Sequence, residues 1–370
     1  MVYLDYSTTT PTSEEVLEYF NKTSLFFYRN VKSSNKFEEV NKKLIDDVAK
    51  QIKNVLNTSK EIIYTTGSTK SNGIIIRSIG SAYKNRGKHI ITGPFEEISI
   101  IVPLNHLIDE EGFIVDTVNL DENGMIDLNH LKSLMTEDTI LVTIASINSE
   151  LGILQPISEI SKIVKEYPNC FFHCDMTQSI GKVNIPIDEA DLVTLSADKF
   201  FGLKGIGCIL KNKNIDINPY ILDKELNTDT VPIYPIISSL EKALTIVYTD
   251  FDTKYNHVFE LNKYLKENLS KYSKVYINSN DKSIPHILNI SVIGIKPKIF
   301  SQALEEYGIY IPSKSGCTSC NSKSQAVYDL THDDARARSS LRISISQITT
   351  KEEIELFLDA FEKCYKKLVE

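Results

Sequence analysis

Four short stretches of the chain hold residue types suited to making and breaking bonds. Thr66-Gly67-Ser68-Thr69-Lys70-Ser71-Asn72 follows an apolar run and opens a helix-like segment. Its backbone N–H groups and hydroxyls suit a phosphate at a helix N-terminus. Alone, the stretch reads better as an ordinary strand-to-helix turn capped by Ser and Thr. Asp175 closes the apolar run Cys170 to Cys174. That puts a carboxylate at the strand edge where α/β sheets bind ligands, able to protonate a pyridine nitrogen. Ser196-Ala197-Asp198-Lys199 closes the run Ala190 to Leu195 and sets a lysine on the same edge. A lysine there forms a Schiff base if its surroundings lower its pKa. Each charged residue taken singly is more commonly a solvated surface group, and the ordered set of phosphate turn, acid and lysine carries the functional reading. The fourth stretch is a polar loop holding Cys317 and Cys320, the spacing C-x-x-C.

The elements that must position these residues are legible as periodicity. Phe37, Val40, Leu44, Val48, Ile52 and Val55 recur at steps of three and four, the signature of one face of a long helix. Short apolar runs follow at 61–65, 88–92, 113–118, 139–144, 170–174, 190–195 and 206–210, separated by helix-like segments. This alternation predicts an α/β domain with a mostly parallel sheet of seven strands covered on both faces. A long helical region is expected from about 236 to 270, then strands near 273–278, 286–292, 308–312 and 341–345 and a final helix from 350, a smaller α+β domain. The division expected is 12–250 for the large domain, with 1–11 and 251–370 forming the small one. The least regular stretches are 213–235 and 313–340, and long irregular loops in compact proteins are often functional.

Composition narrows the function classes. The chain has 370 residues, 42% hydrophobic and 24% charged, which is globular and long enough for a large core. No apolar stretch reaches the roughly 18–20 residues of a membrane helix, and the N-terminus lacks the basic start and apolar run of a signal peptide. A cytoplasmic protein is expected. With 41 basic and 49 acidic residues interspersed, the net charge of −8 argues against a general nucleic-acid surface. Six cysteines are too sparse for a disulfide framework, and Cys170, Cys174 and Cys208 lie in apolar runs where Cys behaves as a small hydrophobe. With no second C-x-x-C or close Cys/His pair, no metal site is expected.

Beyond these four stretches, longer motifs can be read. Leu4-Asp5-Tyr6-Ser7-Thr8-Thr9-Thr10-Pro11 is similar to Leu-Asp-Tyr-Ser-Ala-Thr-Thr-Pro, and Asn148-Ser149-Glu150-Leu151-Gly152 to Asn-Asn-Glu-x-Gly. His173 to Ser179 matches His-x-Asp-x-Thr-Gln-Ser, and Ser315-Gly316-Cys317-Thr318-Ser319 resembles Gly-Ser-Ala-Cys-Thr-Ser. Over nearly the whole chain the sequence resembles the cysteine desulfurases, class V aminotransferase-like enzymes of fold type I that use pyridoxal 5'-phosphate. The resemblance implies that Lys199 carries the cofactor, Asp175 pairs with its ring nitrogen and Gln178 meets its ring hydroxyl. Ser68, Thr69 and Ser196 would hold the phosphate, joined by Thr230 reaching across a homodimer. Arg342 would grip the substrate carboxylate, a task suited to the guanidinium fork, with Asn148 also at the substrate. Cys317, in a nucleophile loop at about 313–331, would attack the sulfur of L-cysteine. L-Alanine is then released and a persulfide passes to a sulfur-acceptor protein, for uses such as iron–sulfur cluster assembly; the nucleic-acid connection allowed for is through tRNA-thiolation partners.

Departures from the family pattern gather around the cofactor. Glu97, in Phe95-Glu96-Glu97, stands where the family has a ring-stacking His. A carboxyl group still shuttles protons if burial raises its pKa, so Glu97 is retained as a catalytic residue. Asp198 replaces the His of Ser-x-His-Lys. Ionised at about 4 Å from a phosphate, it would repel it by up to roughly 4 kcal/mol at an effective dielectric near 20, unless it turns away or a cation intervenes. Ser149 replaces the second Asn, and an Arg-Ser-Gly-Thr region is reduced to Asn227-Thr228-Asp229-Thr230. Cys320 is open to two readings, an incidental loop cysteine or a resolving thiol for a Cys317 persulfide. Two alternative functions stand beside the desulfurase: a related pyridoxal-phosphate lyase or aminotransferase acting on another amino acid, and a catalytically weak desulfurase-like partner protein.

Overall fold

The computed structural model describes residues 1–26, 36–218, 233–312 and 323–369. The seven apolar runs form one sheet. Its strands are β2 (Glu61–Thr65), β3 (His89–Thr92), β4 (Ile114–Thr117), β5 (Thr139–Ala145), β6 (Phe171–Asp175), β7 (Leu192–Ser196) and β8 (Gly207–Lys211), in the order β2-β8-β7-β6-β5-β3-β4. β8 is antiparallel to both β2 and β7, and the other neighbours are parallel. All residues of β6 and β7 are buried, which is why these runs are continuously apolar and do not alternate. His173 in mid-sheet shares hydrogen bonds with Thr143 Oγ1 at 2.8 Å and Thr194 Oγ1 at 3.1 Å, and burial pulls its pKa down to about 3, so it is neutral.

Helices cover both faces. On one, Val48 and Ile52 of α2 (Lys36–Val55) join a core with Val142, Phe172, Cys174 and Leu195, and α1 (Glu14–Phe26) contributes Val16. On the other, Ile74, Ile75 and Ile79 of α3 (Ser68–Tyr83) pack with Leu104 and Leu107 of α4 (Ile98–Glu111). The apolar stripe predicted for α2 is buried in its second half, whereas Val40 near its start is 52% exposed.

The C-terminal third builds a second core around Leu265, Leu288, Phe300, Ile343, Phe357 and Phe361. Its sheet runs β12 (Ser340–Ser344), β10 (Ile287–Val292), β9 (Val275–Ile277), all antiparallel. β11 (Ile309–Tyr310) does not join it and pairs in parallel with β1 (Val2–Tyr3), tying the N-terminus to this unit. The long helical region is two helices, Tyr234–Tyr248 and Phe251–Leu269: Thr249 turns extended and Asp250 takes φ +51°, a left-handed conformation an Asp tolerates. The last helix, Lys351–Leu368, starts with Thr350 and Glu353 satisfying each other's backbone N–H groups. Among the described residues, no helix is long and apolar enough to cross a membrane.

Candidate active site

The C-terminal ends of β2, β3, β5, β6 and β7 share one edge of the sheet, and a cavity of about 570 Å³ opens there. At one end lies the N-terminus of α3. Gly67 adopts φ +137°, and no side-chain cap is formed by the N-cap residue, so the amides of Ser68 and Thr69 are left for an anion. A Cβ on Gly67 would lie 3.3 Å from Ser196 Oγ, and one on Gly207 only 2.9 Å from Gly67 Cα, so glycine at both sites lets the two strand ends close up. Ser68 and Thr69 line the cavity at this end.

Asp175, the last residue of β6, forms part of the lining. Its Oδ2 accepts from Asn72 Nδ2 at 2.7 Å and its Oδ1 from the Thr177 amide at 2.9 Å. Burial raises its pKa, and these hydrogen bonds pull the other way. Gln178, also lining the cavity, gives Nε2 to the Ser7 carbonyl at 2.9 Å and receives Lys182 Nζ on Oε1 at 2.7 Å.

Lys199 reaches the cavity from the short turn that follows β7. The N-terminal segment straps this turn down: Thr10 donates N–H to the Asp198 carbonyl at 2.8 Å, and Thr10 Oγ1 accepts from the Phe201 amide at 2.7 Å. Lys199 Nζ donates to the Thr8 carbonyl at 2.5 Å and to Asp198 Oδ2 at 3.0 Å. The other Asp198 oxygen accepts the Ser196 hydroxyl. A serine has a single O–H hydrogen, and here it goes to Asp198. Ser196 is not among the cavity-lining residues.

Arg342 enters from β12 and is buried. Its Nη2 donates to Asp5 Oδ1 at 2.8 Å and Thr8 Oγ1 at 2.6 Å, and its Nη1 to the Ser149 carbonyl at 3.0 Å. Its Nε is buried with no protein partner. Glu97 precedes the first turn of α4, lines the cavity and accepts the Ser149 hydroxyl on Oε1 at 2.5 Å.

Of the residues singled out from sequence, Ser68, Thr69, Glu97, Asp175, Gln178, Lys199 and Arg342 thus meet at one cavity. Asn148 does not line it. Its Oδ1 accepts the Glu150 and Leu151 amides at 3.1 and 2.6 Å and shapes the loop that presents Ser149. Cys317, Cys320 and Thr230 lie outside the described residues. Sequence reasoning missed Thr8, which serves both Lys199 and Arg342, though the opening motif contained it. It also missed Asn72, three places after Thr69, and Lys182, which no residue pattern marks as buried.

A carboxylate, an amine, a guanidinium and an uncapped helix end around one cavity fit a phosphate-bearing ring and a carboxylate substrate. This is the arrangement of a fold-type-I pyridoxal-phosphate enzyme. The sequence matches the family Aminotransferase class-V over residues 2–357. It is 31% identical to the cysteine desulfurase IscS of Dictyoglomus turgidum over 379 residues, covering 99% of this chain and 95% of that one. It is 33% identical to the IscS of Buchnera aphidicola over 368 residues, with 95% and 90% covered. Among solved structures, a NifS-like protein superposes with a TM-score of 0.90 at 27% identity, covering 99% of this chain and 100% of that one. One from Rickettsia africae does so with a TM-score of 0.85 at 26% identity, covering 99% of each. The chain belongs to the class-V aminotransferase family, among its cysteine desulfurases, which are pyridoxal 5'-phosphate enzymes.

Proposed function

We propose that this chain converts L-cysteine to L-alanine, passing the sulfur to Cys317 as a persulfide and on to an acceptor protein. The observation that carries the reading is the convergence of Lys199, Asp175 and Arg342 on one cavity. Pyridoxal 5'-phosphate supplies an aldehyde for amines and an electron-accepting ring. Ser68 and Thr69 at the start of α3 would hold its phosphate, Asp175 its ring nitrogen and Lys199 its aldehyde carbon.

Arg342 orients the substrate. With Nη1 and Nη2 engaged by Ser149, Asp5 and Thr8, the guanidinium plane is fixed at the cavity wall, where its charge and the second Nη1 hydrogen would meet the carboxylate of L-cysteine. The Lys199 amine would take the Cα proton of the substrate, and Glu97, held by Ser149, would move a proton on the substrate side of the cavity. The Cys317 thiolate attacks the substrate sulfur; the C–S bond breaks with its electron pair left on Cβ, which takes up a proton on the way to alanine, and the sulfur stays on Cys317 as the outer sulfur of a persulfide. Asp198 is compatible with this scheme because it does not line the cavity: one of its oxygens accepts the Ser196 hydroxyl and the other faces Lys199.

The same reading assigns residues 12–250 to a cofactor-binding domain and 1–11 with 251–370 to a second domain. It makes the protein a cytoplasmic homodimer in which Thr230 reaches the partner's phosphate site. Alanine and sulfide release from L-cysteine by cofactor-loaded wild type and Cys317→Ser tests it, with the visible spectrum recorded before substrate. Product lost in the mutant with its spectrum intact is the expected outcome. A normal spectrum without product from wild type would move the substrate to another amino acid, and no visible band after added cofactor would make the chain a non-catalytic partner.

A further inference from the structure

Lys182 is a buried lysine, 7% exposed, that the proposed reaction does not use. It lies four residues after Gln178, and its Nζ donates to Gln178 Oε1 at 2.7 Å. The same amide gives Nε2 to the Ser7 carbonyl at 2.9 Å. A primary amide has one acceptor end and one donor end with two hydrogens. With the oxygen held by Lys182 and one hydrogen by Ser7, the group left to face the cavity is a single N–H. Turning the amide over would set its NH2 against the lysine and its oxygen against a carbonyl oxygen. Two hydrogen bonds would become two repulsions in a place shielded from water.

Among the described residues, no carboxylate is ion-paired with this lysine. On its other side lies a small void of about 20 Å³, lined among others by Phe200, Val247 and His286. Burial, with Lys199 and Arg342 nearby, brings Lys182 down to about 7, and Asp198 works in the opposite direction. His286 is held neutral by burial, at about 3. Both the amine and the ammonium carry N–H hydrogens for Gln178, but the amine also has a lone pair able to accept from a turned NH2, so the lock is firmer when Lys182 is protonated.

We infer that Lys182 is a positioning residue that fixes Gln178 as a hydrogen-bond donor toward the cavity, and thereby selects a cofactor ring bearing an acceptor oxygen at that point. The inference rests on the pyridoxal-phosphate reading of the site and adds to it the residue that sets the polarity of Gln178.

The test is equilibrium dialysis of the cofactor-free protein with pyridoxal 5'-phosphate and with its 3-deoxy analogue, which lacks the ring hydroxyl. Wild type prefers the first by about tenfold or more, the worth of a hydrogen bond to a charged oxygen. Lys182→Met reduces that preference to within about twofold, and adding it to Gln178→Leu changes the ratio no further, because the lysine acts only through the amide. Should the Met variant not fold, Lys182→Gln takes its place; its head group both donates and accepts, so the preference falls by at least about threefold. Either folded variant keeping the full preference, or a wild type with none, overturns the role of Lys182. A wild type that binds neither compound overturns the cofactor reading itself.

Discussion

Ser149 donates its hydroxyl hydrogen to Glu97 Oε1 at 2.5 Å, linking the loop after β5 to the residue that precedes α4. These are two of the positions at which the sequence departs from the desulfurase pattern, and they meet in space. The Ser149 carbonyl, facing the other way, accepts from Arg342 Nη1. Ser149→Ala keeps that carbonyl and removes only the hydroxyl. We therefore expect kcat for L-cysteine to fall by about three- to tenfold, with KM within about twofold of wild type, the loss of one ordinary hydrogen bond. A rise in KM with kcat unchanged would place Ser149 with substrate binding alone.

Arg342 is fixed on three sides, and a lysine has no planar fork to replace it. Arg342→Lys raises KM for L-cysteine by roughly 10- to 100-fold. Asp5→Asn removes one charge from the clamp and leaves Thr8 and Ser149 in place, so its effect is smaller, about three- to tenfold. Steady-state kinetics on both variants order the two contributions.

Asp198 takes the hydrogen of Ser196 and sits beside Lys199. Asp198→His frees that hydroxyl and removes a negative charge, so pyridoxal 5'-phosphate should bind about tenfold more tightly at low salt and less markedly so at high salt. Pyridoxal without its phosphate serves as the control, and its affinity should not rise. Equal gains for both compounds would show that Asp198 acts on Lys199 and not on the phosphate end.

Glu96 Oε1 accepts the Ala145 amide at 2.9 Å, while Oε2 is buried without a protein partner. Burial raises its pKa from 4.5 to about 8, so the folded protein keeps a proton that the unfolded chain has lost. The folded state then binds more protons across that window, and stability contributed by this group falls as pH rises from about 4.5 to about 8. Glu96→Gln mimics the protonated form. Relative to wild type it gains stability on going from pH 5 to pH 7.5, by up to roughly 3 kcal/mol, measured by denaturant unfolding at the two pH values.

Much of the fold was legible because burial on both faces writes a sheet strand as an unbroken apolar run. All seven runs of the large sheet became strands, each shifted by no more than two residues at either end. What periodicity did not show was the break at Thr249–Asp250, where apolar spacing continues across a left-handed residue, or the pairing of β11 with β1 across the chain. Val40 illustrates the converse: the helical stripe it belongs to is real, but a stripe carries no information about where its covering neighbour stops.

The sequence by itself determined the order of the chemistry: a Ser/Thr-rich turn after β2, an acid closing β6, a lysine just after β7 and an arginine in β12. Strand ends on one edge of a parallel sheet bring such residues together whatever lies between them. Only the tertiary structure decided which hydrogen each group gives and to whom. Ser196 and Asp198 are two residues apart and Ser149 and Glu97 are 52 apart, yet both pairs are hydrogen-bonded. Asn148, read as a substrate residue, holds its own loop, and Lys182, read as nothing, sets an amide at the cavity wall. A donor has few hydrogens and a fixed reach of about 3 Å, so its partner is settled by packing, which spacing along the chain does not encode.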